Sequence, residues 1–546
     1  MLGLGEIFLG CILVVFLLFK ALPLCCALAG VIIALGYVYY YFDQERSYWK
    51  RRGVNGPEGT FFSGTTFLHK RGQHVLDQEW TELYGETFGF RLLGKQVLMI
   101  SDLDSIRKVL VKDFSHFVNR TNIRGIKNCT TKLSLFPYML TAKENDEWSN
   151  IRKILTPAFT SGKMRNMIGT IDQCAQTFCE VVGGFSGRNV KVPLKEFVCI
   201  LEQVVFYDFS ICGRVTLDVI SRTALGIQSN VQKDDNEPLL THAKIIINAK
   251  RSTLETLFPN VVYYLQELFG RLLVNHETHQ FYIRTLSDLL EKRLSEKDDS
   301  SVDFFKLLLA SMEESSVFSA VEDSDTIHDE VSDHKKKRKL SKYDIMGQAF
   351  IFIMAGYETT MTTLHFVLFM LAHHPEIQER CRQEVLQVVG VDNLQYDHVM
   401  KLKYIDQVIA ETLRMFPPTA RTRRDCNKDI EIEGIKVEKG VSVFVPIYKI
   451  HHDEKHYPNP EIFDPDRFSP EEKAKRHPLA YLPFGFGPRN CIGLRLAKIE
   501  LRVIIAEAVR MFRFTPVESE SSLPIEIETQ KFTEPKKKLY VNAERI

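Results

Sequence analysis

No CxxC pair occurs anywhere in the 546 residues, although eleven cysteines are scattered along the chain. That absence argues against a zinc ribbon or a thioredoxin-type redox motif. An odd cysteine count in so large a chain also argues against a disulfide framework. The cysteines read as mostly reduced, and the globular part as facing the cytosol. Charge of one sign is missing too: 70 Lys and Arg stand against 69 Asp and Glu, a formal net charge of +1. No strong global attraction to nucleic acid is implied. There is no internal repeat, and no second long uncharged run after residue 42. What remains is ordinary globular composition, 45% apolar and 25% charged. The length predicts two or three units, or one unusually large one.

The N-terminus carries the first strong signal. Residues 7–19 (IFLGCILVVFLLF) are apolar, Lys20 interrupts, and residues 21–42 are wholly uncharged. A helix over 21–42 would be roughly 33 Å long, enough to cross a bilayer. The first piece lies beside it in the membrane or forms a hairpin with it. No Lys or Arg precedes the apolar run, which disfavours a cleaved signal peptide. Tyr37, Tyr39, Tyr40, Tyr41 and Trp49 suit an interfacial belt, and Arg46, Lys50, Arg51 and Arg52 follow at once. The positive-inside rule then places everything after residue 43 in the cytosol. We therefore expect an anchor over 1–42, a basic and Pro/Gly-rich hinge over 43–60 (ending GVNGPEGT), and one catalytic domain over 61–546.

Within that domain, helical periodicity runs over about 144–300 and 341–416, short strand-like pieces fall between 428 and 447, and a last helix covers about 494–513. The expected fold class is mainly α with a minor β part. The segment 313–340 is acidic, then basic, and poor in aromatics, which predicts a flexible, solvated loop. Its KKKRK run superficially matches a nuclear localisation signal, but a membrane-anchored chain favours the loop. HHDEKH (451–456) lacks the HExxH metal pattern and reads as a polar loop.

Residues 484–493, FGFGPRNCIG, set Cys491 among three glycines, a proline and an arginine, just ahead of an apolar helix. A phosphate-cradling GxGxxG turn is excluded, because Asn490 stands in place of the third glycine and no acidic ribose partner follows. A nucleophile would want a histidine and an oxyanion hole. An inert core cysteine is the usual fate of a lone one. An axial thiolate on haem iron must be deprotonated at neutral pH, and three features favour that. The sulfur precedes a helix and so sits near a positive dipole end. Gly485, Gly487 and Gly493 let backbone N–H groups turn toward it and a flat ring lie close. Arg489 is placed to pair with a haem propionate.

FGFGPRNCIG resembles the full FxxGxRxCxG signature of cytochromes P-450, and the resemblance extends over most of the chain after the anchor. It is closest to the eukaryotic microsomal group of drug- and steroid-oxidising enzymes. Further motifs lie in the family's order. Residues 344–374 resemble its central helix, with AGYETT (355–360) breaking the apolar run. The resemblance implies an oxygen-binding kink at Gly356, a hydroxyl at Thr359 that holds dioxygen, and a proton relay through Glu358. ETLR (411–414) and FDPDRF (463–468) resemble its structural Glu–Arg–Arg network, here Glu411, Arg414 and Arg467. WSNIR (148–152) resembles the helix that meets the propionates through Trp148 and Arg152. Arg421 and Arg120 are placed in the same role by resemblance, and Phe484 opens the cysteine loop against the cofactor. An exposed charge is the commoner fate of any one arginine; several in family order point the other way.

The resemblance implies haem b held by Cys491, and a monooxygenase that inserts one atom of dioxygen into a small apolar substrate: a lipid, steroid or xenobiotic. No flavin or nicotinamide motif is present, so electrons are expected from NADPH–cytochrome P-450 reductase, with cytochrome b5 as a second candidate donor. The expected location is the endoplasmic reticulum membrane, in contact with lipid and facing the cytosol. A haem-thiolate isomerase or dehydratase is the alternative, disfavoured by AGYETT; a non-enzymatic protein with Cys491 in its core is the third. Phe114, Phe117, Phe136, Phe350 and Phe352 read equally as pocket lining or as core. Two departures from the family stand out: the long apolar N-terminus, and an extra stretch over 199–213 (CILEQVVFYDFSICG).

Overall fold

The structure is a computed structural model that describes residues 24–120, 133–186, most of 191–248 and of 258–295, 340–390, 392–517 and 522–546, with isolated positions elsewhere. The charged segment 313–340 lies outside the described residues apart from Leu340, which is buried. Helices dominate and the sheets are small, as expected for this class.

Eight helices matter here, the last six around the main core and the cysteine loop: α1 (Leu24–Arg46), α2 (Gln73–Tyr84), α3 (Asn145–Leu155), α4 (Ser161–Gly183), α5 (Ile211–Leu225), α6 (Lys342–His373), α7 (Lys403–Met415) and α8 (Leu494–Met511). The 32 residues of α6 are apolar nearly all round, and such a helix is stable only when buried all round. It accordingly forms the spine of the main core, packed against α5, α7 and α8. A reciprocal capping box starts it. The Ser341 hydroxyl accepts from the Asp344 N–H, and the Asp344 carboxylate accepts from the Ser341 N–H. Pro375 comes just after the helix end and opens the next helix, Pro375–Val388.

The N-terminal helix differs from its expected bounds. Described over Leu24–Arg46, it runs past the expected end at residue 42 through Asp43 and Glu45, where Glu and Arg sustain a helix well. Among the described residues, no helix is long and apolar enough to cross a membrane.

Besides three short two-stranded ribbons, the strands among the described residues are β1 (Thr87–Leu92), β2 (Lys95–Ile100), β3 (Val192–Lys195), β4 (Thr422–Asp425), β5 (Ser442–Val445), β6 (Phe512–Pro516) and β7 (Leu539–Arg545). One sheet has the order β1–β2–β5–β4, with β2 parallel to β5 and the other pairs antiparallel. A second joins β6, β7 and β3. The β1–β2 hairpin was not foreseen from the sequence. Its two-residue turn places Leu93 (φ 50°) and Gly94 (φ 71°) in the left-handed region, the geometry that suits the twist of a tight hairpin.

The stretch 199–213 is only partly additional to the fold. Residues 199–206 and 209 lie outside the described residues, and Tyr207–Asp208 pairs with Phe197–Val198. Ser210 caps α5 by accepting from the Gly213 N–H, and Ile211, Cys212 and Gly213 are its buried first turn. A Cβ on Gly213 would come within 2.9 Å of Tyr357 and Met361 on α6, so glycine is what lets the two helices meet. Of the five phenylalanines, Phe117, Phe350 and Phe352 are core residues. Phe350 packs edge-on against Tyr282 and Phe136, Phe352 against Phe159, and Phe114 against Trp148.

Candidate active site

The cysteine loop is closed by its own backbone. Gly485 N–H donates to Leu482 O, Asn490 N–H to Gly487 O, and Cys491 N–H to Phe484 O, each at 2.9–3.0 Å. Phe484 thus contributes its carbonyl, while its ring packs against the main core. Gly487 (φ 76°) tolerates no side chain, since a Cβ would lie 2.0 Å from Leu110 O. The loop delivers Cys491 to the first turn of α8, where the Gly493 and Leu494 N–H groups bond the sulfur. Burial pushes the thiol up. Those two amides, with Arg120 and Arg152, pull it the other way without cancelling the burial. The helix end therefore does not ionise Cys491 unaided, whereas a metal ion at the sulfur would. The thiol is surrounded by protein yet keeps accessible surface, so it opens onto internal space.

Beside the loop lies a group of arginines. Arg120 donates to Arg489 O (2.8 Å), and Arg152 to both Asn490 O and Asn490 Oδ1 (3.0 and 2.9 Å). Asn490, which ruled out the phosphate turn, is therefore the loop's acceptor for α3. Arg489 donates to Lys143 O (2.7 Å) and lies 4.4 Å over the Trp148 ring, a cation–π contact. Arg424, 1% exposed, donates to Thr422 Oγ1 and Arg423 O. None of these four makes an ion pair with a carboxylate among the described residues. The Nε atoms of Arg120, Arg424 and Arg489 are buried with no partner. Burial, then mutual repulsion, pushes the guanidinium of Arg489 down to about 9 and that of Arg424 well below its ordinary value.

Arg421 does not belong to this group, contrary to expectation. Its Nε lies 2.9 and 2.8 Å from the two oxygens of Asp77 on α2, and its Nη1 is 3.3 Å from His69. Arg424, three residues on, takes the place beside Arg120 and Arg489. An odd separation along an extended segment reverses the face, which is why one arginine enters the group and the other leaves it.

On its other side the loop rests on a buried ion-pair network. Glu411 and Arg414 on α7 are both wholly buried and joined by two bonds of 2.8 and 2.9 Å. Arg414 also donates to His451 O and Pro460 O, Glu411 accepts from the Asp464 N–H, and Arg467 approaches Glu411 at 3.6 Å. His451, which gave no signal beyond a polar loop, is wholly buried here. Its Nδ1 lies 3.1 Å from Arg414 O, and its Nε2 accepts from the Leu482 N–H at 2.8 Å, tying the network to the start of the cysteine loop. Burial and the nearby cations hold it neutral, with its pKa well below the ordinary value.

In the middle of α6 the burial pattern breaks. Ala355 is exposed and Thr359, one turn on, is partly so, while the flanking turns are covered. The Thr359 hydroxyl donates to Ala355 O at 2.7 Å, and that of Thr363 to Thr359 O. Such back-bonding bends a helix without breaking it. The expected interruption at Gly356 is absent, since α6 is continuous. Gly356 instead admits Ile220 of α5, which would lie 3.0 Å from an added Cβ. Glu358 is buried, and its charge acts on Lys531.

A cysteine set on amides at a helix end, next to buried guanidinium groups that lack an anion, fits one kind of group well: a flat metal macrocycle with carboxylate arms. The three unpartnered Nε atoms match haem propionates, and the sulfur matches an iron ligand. The fold and this site define a haem-thiolate enzyme. Comparison with known proteins gives the family. The cytochrome P450 family model matches residues 54–543. The chain is 30% identical to cytochrome P450 3A41 of Mus musculus over 528 residues, 95% of this chain and 96% of that protein. It is 31% identical to cytochrome P450 3A5 of Homo sapiens over 519 residues, 94% and 95% of the two chains. The chain belongs to the cytochrome P450 family, monooxygenases that hold haem b through a cysteine thiolate.

Proposed function

We propose that this protein oxidises a small apolar substrate, a lipid, steroid or xenobiotic, with electrons that NADPH–cytochrome P450 reductase delivers from NADPH. Cytochrome b5 is a second donor. The observation that carries the site assignment is the set of buried, anion-seeking arginines beside Cys491. Cys491 is the ligand, and the Gly493 and Leu494 amides hold the charge on its sulfur. Arg120, Arg424 and Arg489 bind the propionates, with Trp148 and Arg152 fixing Arg489 and Asn490. When bound, haem b supplies the oxygen chemistry, one atom going to the substrate and the other to water. Thr359 presents a hydroxyl on the uncovered stretch of α6 and holds a proton there, which Glu358, one residue earlier, replenishes.

The same reading places the protein at the endoplasmic reticulum membrane, its catalytic domain in the cytosol, held by the N-terminal segment. Its support is the outward apolar face of α1, where Ile32 and Ile33 are 70% and 72% exposed, with Arg46, Lys50, Arg51 and Arg52 just beyond.

The test is turnover. Purified protein with reductase, NADPH and a panel of lipids, steroids and xenobiotics should consume NADPH and yield hydroxylated product, and Thr359→Ala should uncouple the two. Product formation that needs neither NADPH nor reductase would instead establish the isomerase or dehydratase alternative.

A further inference from the structure

A cleft of about 530 Å³ lies where α1 joins the globular domain. Asp43 and Arg46 line it from the end of α1, Trp49 and Lys50 from the segment just beyond, and Arg91 and Gln96 from the β1–β2 hairpin, where they are cross-strand partners. Arg91 and Gln96 are 5% and 9% exposed, and each holds a buried polar atom that meets no partner. In Arg91 it is Nε, a donor; in Gln96 it is Oε1, an acceptor. The amide orientation of Gln96 is settled by its Nε2, which donates to Glu45 O and Glu45 Oε2 at 2.8 and 2.9 Å. Buried polar groups are nearly always satisfied. Arg91 and Gln96 thus bring one unanswered donor and one unanswered acceptor to the wall of the cleft.

The charges around it agree. Arg46 is already paired with Glu58, whereas Lys50 and Asp43 make no ion pair among the described residues. Glu58 lines the cleft too, its carboxylate pulled down by Arg46 and more weakly by Lys50, which leaves Asp43 as the wall carboxylate without a cation and Lys50 as a cation without a hydrogen-bonded carboxylate. The surroundings are apolar and aromatic. Tyr39 stacks on Phe61, Phe42 meets Phe62 edge-on, and Tyr40 and Phe67 are exposed. Asp43 comes after the tyrosines within one helical turn, roughly 5 Å along the axis, so the cleft lies at headgroup depth if α1 enters a bilayer.

We propose that this cleft binds the phosphoethanolamine headgroup of a membrane phospholipid, the phosphate against Lys50 and Arg91 and the ammonium against Asp43 and the Gln96 carbonyl. A choline headgroup offers no N–H to Gln96, and inorganic phosphate answers only half of the site. The proposal rests on the placement of this protein at the endoplasmic reticulum membrane.

The test is a calorimetric titration of the full-length, haem-loaded protein in non-ionic detergent. The probes are dihexanoyl phosphatidylethanolamine, dihexanoyl phosphatidylcholine and inorganic phosphate. Saturable binding of the ethanolamine lipid, at least tenfold tighter than that of the choline lipid, with none of phosphate at the same concentration, is the expected result. Lys50→Gln and Gln96→Met should each abolish the preference while leaving the haem spectrum unchanged. Lys50 is exposed, so its variant decides the matter even if Gln96→Met fails to fold. Equal affinity for the two lipids, phosphate binding as tight as lipid, or variants that keep the preference would overturn the proposal. Sedimentation with phosphatidylcholine vesicles is a separate arm. Failure to sediment there would sink the membrane placement, while the titration alone decides the headgroup.

Discussion

The cysteine loop sits between two buried groups of arginines that are treated in opposite ways. Below it, Arg414 is wholly buried and every neighbour completes it: Glu411 by two bonds, the His451 and Pro460 carbonyls by one each. Beside it, Arg424 and Arg489 are buried next to half-buried Arg120, the Nε atom of each unanswered and no carboxylate paired with them among the described residues. A charge taken out of water costs several kcal/mol unless it is paired and hydrogen-bonded. Arg414 meets that condition within the chain and is therefore structure, and Arg467 beside it has the Glu411 carboxylate at 3.6 Å although its Nε makes no hydrogen bond. The second group does not meet the condition, and so is shaped for something the chain does not itself supply.

Removing a member of each group should separate the two. Glu411→Ala strands Arg414 and should cost about 3–5 kcal/mol of folding stability. Denaturant unfolding measures this, and a loss under about 1 kcal/mol would end the distinction. Arg421→Gln strands buried Asp77 in the same way and should destabilise by about 3 kcal/mol. It should leave haem retention as in wild type, whereas a selective loss of haem would restore Arg421 to the propionate role. Arg120→Gln and Arg424→Gln should do the reverse. Each removes one cation from a repelling group, so the haem-free protein should be no less stable. Each also removes a charge-assisted bond to the cofactor, about 1.5–3 kcal/mol, or 10- to 150-fold in haem transfer to an acceptor protein.

The smallest effect is on pH. His451 is held neutral in the fold, so below its ordinary value of about 6.5 the unfolded chain takes up the proton first. Its contribution is full above that pH and is lost as pH falls toward the depressed folded value, at about 1.4 kcal/mol per pH unit. His451→Gln should flatten that part of the stability profile relative to wild type; an unchanged slope would assign the acid loss to other groups.

The motifs of the candidate site are local. FGFGPRNCIG, AGYETT, ETLR and WSNIR each hold their residues within one loop or a few helical turns, where spacing dictates what faces what. The failures share a cause. Arg421 and Arg424 differ by a strand alternation that short pieces such as TARTRRDC do not display until β4 pairs with β5. His451 matters only because Arg414 and Leu482, far apart in the chain, meet at its two nitrogens. Gly356 looked like a helix breaker. Its role is packing against Ile220, a contact between helices that no window of sequence contains. The β1–β2 hairpin did leave a trace, the glycine of LLGK, but Leu93 in a left-handed conformation hid it.

Cys491 as the thiolate ligand is the claim on which the rest depends, and one spectrum tests it. The reduced, carbon monoxide-bound difference spectrum of the full-length protein should show the red-shifted band of thiolate-ligated haem, and Cys491→Ser should lose it. A wild-type protein without that band, or a serine variant that keeps it, would contradict the account.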